Sequence, residues 1–375
     1  MPRYVLRDFS DHRLAGARGP HHPALVLYFP FFAGWIGFLR GVCSKKRAGI
    51  DKGRVDKGGW PIYALANVVD FSFQSLSHAA TSDKSPSRPL LAPASSTETA
   101  FGAPRDFLGN RFVYVVISSR ARGLSVGINV NPDKYCNFQC VYCEVRRDEV
   151  ASGQALDPAV LELELKHVFD FIREGRLREH PRYRGVPQEL LHLRHVALSG
   201  DGEPTLAPDF ARIVQAVVHV RALSGVPFTK LVLITNATGL GRAGVRAGLR
   251  AFTHSDEIWA KLDGGTQTYL SRVNGMAVSL GEILANILTL ARQRPVIIQS
   301  LFPLLNGAEP PAEEIEQYAA RLRELISGGA KIPLVQIYSA TRPSSNSSCS
   351  HLSLKTLSQI AQTVRGATGL RVEVF

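Results

Sequence analysis

The sequence predicts an α/β fold over residues 105–375, built either as an open (β/α)6 barrel or as a doubly wound sheet. Three observations carry that reading. Short β-branched and aliphatic runs alternate with stretches of helical periodicity, six times over. The runs are four to seven residues long and largely apolar throughout, the pattern of parallel strands buried on both faces. Six units are too few for the closed eight-fold barrel, and in either alternative ligands gather at the C-terminal ends of the strands.

Taken in order, residues 112–118 and 124–130 are the first two strands. Residues 158–173 form the first helix, with Val160, Leu161, Leu163, Leu165, Val168, Phe169 and Ile172 spaced among acids and bases. Strands follow at 195–199, 230–235, 257–262, 296–301 and 334–338. The helices that separate them fall at 209–222, 241–250, 280–292, 312–327 and 354–365, and 370–375 is the closing strand.

Residues 1–104 are expected to be a disordered N-terminal extension and linker, outside the 105–375 core. The uncharged run 23–39 has 17 residues, the lower limit of the roughly 17–25 that span a membrane, and Pro30 interrupts it. Arg40, Lys45, Lys46 and Arg47 follow it in place of a small-residue cleavage site. Neither a secretory signal nor stable membrane association is expected. Residues 81–99 hold five Ser, three Pro and three Thr, the composition of a solvated linker.

Composition sets outer bounds on function. With 45% hydrophobic and 20% charged residues, the chain is not wholly disordered, collagenous or a disulfide scaffold. The net charge of +12 is unevenly spread: residues 1–105 carry 14 Lys/Arg against 7 Asp/Glu, and 106–375 carry 30 against 25. Charge alone therefore gives no argument for a polyanionic partner. Five cysteines in 375 residues are too few for a secreted framework, and three stand together at Cys136, Cys140 and Cys143. That grouping points to a metal centre in a reducing, cytoplasmic compartment.

The cysteines lie in the loop after the second strand, in the segment Asn131-Pro-Asp-Lys-Tyr-Cys136-Asn-Phe-Gln-Cys140-Val-Tyr-Cys143. Thiolates are the preferred ligands of iron–sulfur centres. A structural zinc site needs four protein ligands, and the next histidine, His167, lies far outside the usual spacing. A [4Fe–4S] cluster held by three cysteines leaves one iron open. A second segment, Leu198-Ser-Gly-Asp-Gly202-Glu203-Pro-Thr205, follows the next strand, and its glycines let the main chain approach a ligand closely.

The Cys-x3-Cys-x2-Cys spacing, with aromatic Tyr142 before the last cysteine, resembles the defining motif of the radical S-adenosylmethionine (SAM) superfamily. The resemblance covers residues 120–300 well and implies the open (β/α)6 partial TIM barrel of the radical SAM type. It implies a [4Fe–4S] cluster on Cys136, Cys140 and Cys143, with SAM chelating the open iron. Reductive cleavage of SAM would then generate a 5′-deoxyadenosyl radical that abstracts a substrate hydrogen. Gly202 and Glu203 match the superfamily's Gly-Gly-Glu motif, which binds the SAM amino group, although Asp201 stands at the first glycine position. The strand-end residues Asn236, Lys261, Asp263 and Gln299 fall where relatives hydrogen-bond the ribose and carboxylate of SAM. Read plainly, Asn236 instead caps the following helix and Lys261 pairs with Asp263 or Glu203.

Phrases around Cys136, the 199–205 run and Ala260-Lys-Leu-Asp263 resemble the branch of wyosine-type tRNA-modifying enzymes, with glycyl-radical activases as neighbours. The resemblance implies tRNA or a partner protein as substrate, and a reducing donor such as flavodoxin or ferredoxin. Arg173, Arg176, Arg178, Arg182, Arg184 and Arg194 form one basic stretch that could track phosphates, though Glu174, Glu179 and Glu189 dilute it. Cys43 and Cys349 are isolated, so no second cluster is encoded. The alternative to an enzyme is a non-catalytic iron–sulfur protein, electron-transferring or regulatory, on the same fold. The 199–205 run favours the enzyme, because an electron carrier needs no SAM-amine site and normally uses four cysteines.

Overall fold

The computed structural model describes residues 99–375 apart from 103–104, 148–154, 227–228, 343 and 345. The expected extension, the run 23–39 and Cys43 lie outside the described residues, save for 99–102. There Ala100 is buried and its carbonyl accepts from the Ile117 N–H at 2.8 Å. Among the described residues no helix is long and apolar enough to cross a membrane.

In chain order the strands are β1 (Val113–Ser118), β2 (Gly123–Asn129), β3 (Leu193–Ser199), β4 (Lys230–Thr235), β5 (Glu257–Lys261), β6 (Ile297–Leu301), β7 (Pro303–Leu305), β8 (Val335–Tyr338), β9 (Cys349–His351) and β10 (Val372–Val374). The helices are α1 (Pro158–Arg173), α2 (Phe210–Leu223), α3 (Ala243–Leu249), α4 (Gln267–Asn274), α5 (Leu280–Gln293), α6 (Ala312–Ser327) and α7 (Leu354–Thr368). Local chemistry sets their ends. Asp157 accepts from the Ala159 N–H at the start of α1, with Pro158 in the first turn. Ser279 and Ser353 cap α5 and α7 in the same manner, and Gly369 ends α7 in the left-handed conformation.

One sheet runs β1-β2-β3-β4-β5-β6-β8-β10, antiparallel between β1 and β2 and parallel thereafter. Each crossover moves one place in the same direction, and right-handed crossovers of that kind put every helix on one face. A doubly wound sheet would reverse its order partway, so the order decides for the open barrel. The curl follows from a distance argument. On a flat sheet β1 and β8 would stand about 29 Å apart, at roughly 4.8 Å per step. Here Arg120, in the turn after β1, places its guanidinium 4.3 Å from the centre of the Tyr338 ring on β8. The same turn reaches β10, where Arg122 pairs with Glu373 at 3.2 Å.

Side-chain alternation splits the sheet into two environments. Val126, Ile128, Val196, Leu198, Leu231, Leu233, Ile258, Ile298 and Val335 face outward and are fully buried in the main core with the helices. The inner face carries a separate small cluster of Val232, Trp259 and Ile297. Burial of large aliphatic side chains in the outer layer, at about 1.5–3 kcal/mol each, is the dominant stabilising term.

Strand and helix limits agree with the sequence reading to within three residues. Three features differ. The first two strands pair antiparallel, since the short 119–122 turn cannot hold a crossover. Helix α4 was not anticipated; only Tyr269, Leu270 and Val273 among its apolar positions mark a buried face. The β7–β9 hairpin has three-residue strands that carry no periodic signal.

Candidate functional site

The cysteine loop is held from three directions. Its start is tied to β3, where the Ser199 carbonyl accepts from Val130 N–H at 3.0 Å. Its middle rests on the C-terminal end of α4, whose free carbonyls at Val273 and Asn274 accept from Val141 and Gln139, both at 2.8 Å. Gly275 closes α4 with φ +55°, and a Cβ there would lie 2.9 Å from Gln139. At the side, the Asn236 amide donates to Asn137 at 2.8 Å, and Asn137 donates to Thr238 at 3.1 Å.

Cys136, Cys140 and Cys143 are each half-buried free thiols. Polar donors reach two of the sulfurs: Asn274 Nδ2 stands 3.3 Å from Cys140 Sγ, and Asn236 Nδ2 is 4.0 Å from Cys136 Sγ. Arg147 interacts with the side chains of both Cys136 and Cys143. Among the described residues no three His, Cys, Asp or Glu side chains stand close enough together to hold a metal ion as they are. Burial pushes the Cys140 thiol up to about 12, with Asp263 adding to the rise and Asn274 opposing it. Burial likewise raises Cys136. A bound cation would favour the thiolate form at these two desolvated sulfurs. Three thiols on one loop, with amide and guanidinium donors at the sulfurs, fit a three-cysteine iron–sulfur cluster.

The 199–205 run packs directly onto this loop. Glu203 donates its N–H to the Tyr135 carbonyl at 2.9 Å, and a Cβ at Gly202 would overlap that oxygen and Asn131. The close approach permitted by Gly202 is therefore an approach to the cysteine loop. Gly200, at φ +125°, lies in the same way against the Asn129 side chain. Asp201, at the departure from the glycine pattern, accepts from Asn129 Nδ2 and Arg105 Nε, both at 2.7 Å. Glu203 is fully buried. Its carboxylate accepts from Thr205 N (3.0 Å), Thr205 Oγ1 (2.5 Å), Thr235 Oγ1 (2.5 Å) and Asn236 N (2.7 Å). Burial raises its pKa, and those donors work against the rise.

A second carboxylate gathers the remaining predicted residues. Asp263 Oδ1 accepts from Leu301 N at 2.8 Å and pairs with Lys261 Nζ at 3.0 Å. Its Oδ2 accepts from Tyr142 Oη and from Asn274 Nδ2 at 2.8 Å. Lys261 also donates to Tyr338 Oη at 2.8 Å and sits 4.9 Å from the centres of the Tyr142 and Tyr338 rings. Asn236 caps its own turn, accepting from Thr238 N at 3.0 Å. Gln299 stands apart from this group: fully buried, it donates to Gln336 at 2.8 Å and leaves Oε1 without a partner. Asn274 and Tyr338 were not singled out in the sequence. Asn274 lies on the unanticipated α4, and Tyr338 is one tyrosine among ten.

Below the loop, the inner face encloses a cavity of about 320 Å³, within the usual size of small-molecule sites. Its wall draws on β1, β2, β3, β4, β5, β6 and β8, and Tyr142, Cys143 and Glu144 of the cysteine loop line it too. The basic stretch lies elsewhere and is largely engaged: Arg173 pairs with Asp170, Arg176 with Glu179, and Arg182 with Asp106. Cys349 stands on β9, with its thiol raised by burial.

No family model matches the chain. A UPF0026 protein of Synechocystis sp. is 32% identical over 185 residues, 48% of this chain and 60% of that protein. The chain thus spans less than two thirds of this relative's length. Among solved structures, TYW1 with a lysine-pyruvate adduct bound is 13% identical, with a TM-score of 0.45 over 68% of this chain and 84% of that one. Streptococcus suis SuiB bound to S-adenosylmethionine is 14% identical, with a TM-score of 0.47 over 68% of this chain and 52% of that one.

Proposed function

We propose that the chain is a radical SAM enzyme whose [4Fe–4S] cluster is held by Cys136, Cys140 and Cys143. One observation carries the reading: the Cys-x3-Cys-x2-Cys loop follows the C-terminal end of β2 in a largely parallel, curled sheet, with Cys143 lining the inner cavity. When bound, the cluster supplies the electron for reductive cleavage of SAM, and the cofactor carries the radical chemistry.

The chain's own residues shape the surroundings of that reaction. Asn274 presents an N–H to the Cys140 sulfur, and such donors tune an iron–sulfur centre. Glu203 and Asp263 already accept several hydrogen bonds each, so in this reading they act by fixing Asn236, Tyr142 and Lys261 at the mouth. Gln299 Oε1 and Asn274 Oδ1 are buried acceptors without partners, suited to N–H or O–H groups of a bound ligand. A flavodoxin- or ferredoxin-type donor would deliver the electron. Of the two substrate classes implied by resemblance, tRNA finds little support from the basic stretch, whose Arg173, Arg176 and Arg182 are engaged internally.

The test is anaerobic reconstitution of the full chain with iron and sulfide, followed by reduction in the presence of SAM. The expected product is 5′-deoxyadenosine. A fully loaded cluster that yields none, with no SAM binding by calorimetry, would sink the enzyme reading in favour of an iron–sulfur carrier.

A further inference from the structure

The wall of the inner cavity carries four cations, Arg105, Arg120, Lys261 and Arg342, and one acid, Glu144. Three of the cations are matched: Arg105 with Asp201 at 2.7 Å, Lys261 with Asp263 at 3.0 Å, and Arg342 with Glu144 at 3.1 Å. Arg120 is not. Among the described residues it has no hydrogen bond or ion pair, and its Nε is buried without a partner. Its guanidinium stacks on the Tyr338 ring, 4.3 Å from the ring centre.

An arginine so placed is built to receive an anion. Stacking on an aromatic face fixes the guanidinium plane and leaves its edge, with paired N–H donors, open for bidentate contact with a carboxylate or phosphate. A buried guanidinium N–H without an acceptor is destabilising until a ligand supplies one. Nothing else on the wall neutralises the charge. His195, also on the wall, is pushed down to about 3 by burial, with Lys230 and Arg120 adding to the fall, so it stays neutral. Hydroxyls of Ser118, Ser119 and Ser125 line the same side and add donors of the right kind.

We infer that the inner cavity takes a small substrate through one anionic oxo group, a carboxylate or a phosphate, held by Arg120. The cavity's size, about 320 Å³, suits a small molecule better than a polynucleotide, and within the basic stretch Arg173, Arg176 and Arg182 are already paired with acids. That the anion is the substrate's rests on the radical SAM reading. That the cavity binds an anion does not.

Calorimetry on the full chain separates the two, since it needs no turnover. Inorganic phosphate, propionate and total tRNA would each be titrated at matched ionic strength, with and without the reconstituted cluster. Saturable binding of phosphate or propionate is expected, and which of them binds tells whether the substrate is phosphorylated or a carboxylic acid. R120Q should weaken that binding at least about tenfold, the loss of a charge-assisted pair. Should R120Q fail to fold, R120K keeps the charge and loses the planar fork. Weaker binding by R120K supports the site, and wild-type affinity overturns it. Binding of neither small anion, binding of tRNA alone, or undiminished binding by a folded R120Q would each overturn the inference. A failed 5′-deoxyadenosine assay on the same preparation would leave the anion site standing and remove only its role in catalysis.

Discussion

Gly202 and Tyr135 meet back to back. The residue after Gly202 donates its N–H to the Tyr135 carbonyl at 2.9 Å, and a methyl group on Gly202 would occupy the place of that oxygen. Because Tyr135 precedes the first cysteine, Gly202→Ala should push the loop outward. The expected outcome is destabilisation of roughly 1–3 kcal/mol from overpacking, with reduced iron and sulfide retention after reconstitution. Wild-type iron content and wild-type unfolding in this variant would show that the loop accommodates the methyl group and would overturn the packing role of Gly202.

Glu203 joins β3 to β4 through Thr205, Thr235 and the Asn236 N–H. Removing the carboxylate strands those donors, at roughly 1–3 kcal/mol for each buried group left unsatisfied. Thermal midpoints should fall in the order wild type, Glu203→Gln, Glu203→Ala. Equal midpoints for wild type and Glu203→Ala would show that the donors find other acceptors.

Asn274 donates to Cys140 Sγ and to Asp263 at once. Asn274→Ala should therefore cost about 1–3 kcal/mol and move the potential of the reconstituted cluster to more negative values, since an N–H donor at sulfur favours the reduced state. A redox titration followed by electron paramagnetic resonance reads the shift. An unchanged potential would place Asn274 among purely packing residues.

His195 gives the pH dependence. Its folded value, pushed down to about 3 by burial first and by Lys230 and Arg120 second, lies below the ordinary value near 6.5. The unfolded chain thus binds the proton first, and the histidine's contribution is present above about pH 6.5 and lost as pH falls toward 3. The slope is at most about 1.4 kcal/mol per pH unit. Urea unfolding of wild type and His195→Gln, from about pH 7 to about pH 4, should show the variant with the shallower decline. Parallel declines would contradict the assignment.

Much of this was legible from residue type alone. The runs at 230–235 and 257–262 read as strands and are β4 and β5, and the spacing of the three cysteines already placed them on one loop after the second strand. What stayed hidden was which polar residues satisfy one another. Glu203 stood out by its match to a Gly-Gly-Glu motif and Asp263 by its place at a strand end, and neither signal shows that their carboxylates also accept from Thr235 and Asn236 in one case and from Tyr142, Asn274 and Leu301 in the other. Such long-range bonds leave no periodic trace. Arg120 was invisible for a different reason: an arginine in a short turn is ordinarily solvated, and only the curl of the sheet brings it over Tyr338.

The supports of the cysteine loop are distant along the chain, and this sets an order in time. Cys140 and Asn274 are 134 residues apart. At ribosomal rates of roughly 5–20 residues per second, the thiols emerge on the order of ten seconds before the helix that cradles them exists. Until then the loop has β3, the Gly202–Glu203 turn and the Asn236–Thr238 turn at most, and no amide at the Cys140 sulfur. The nascent thiols pass that interval unsheltered, open to oxidation or to stray metals. For the proposed cluster this places loading of iron after synthesis of α4, so oxygen exposure during translation should lower cluster yield more than the same exposure of the finished chain.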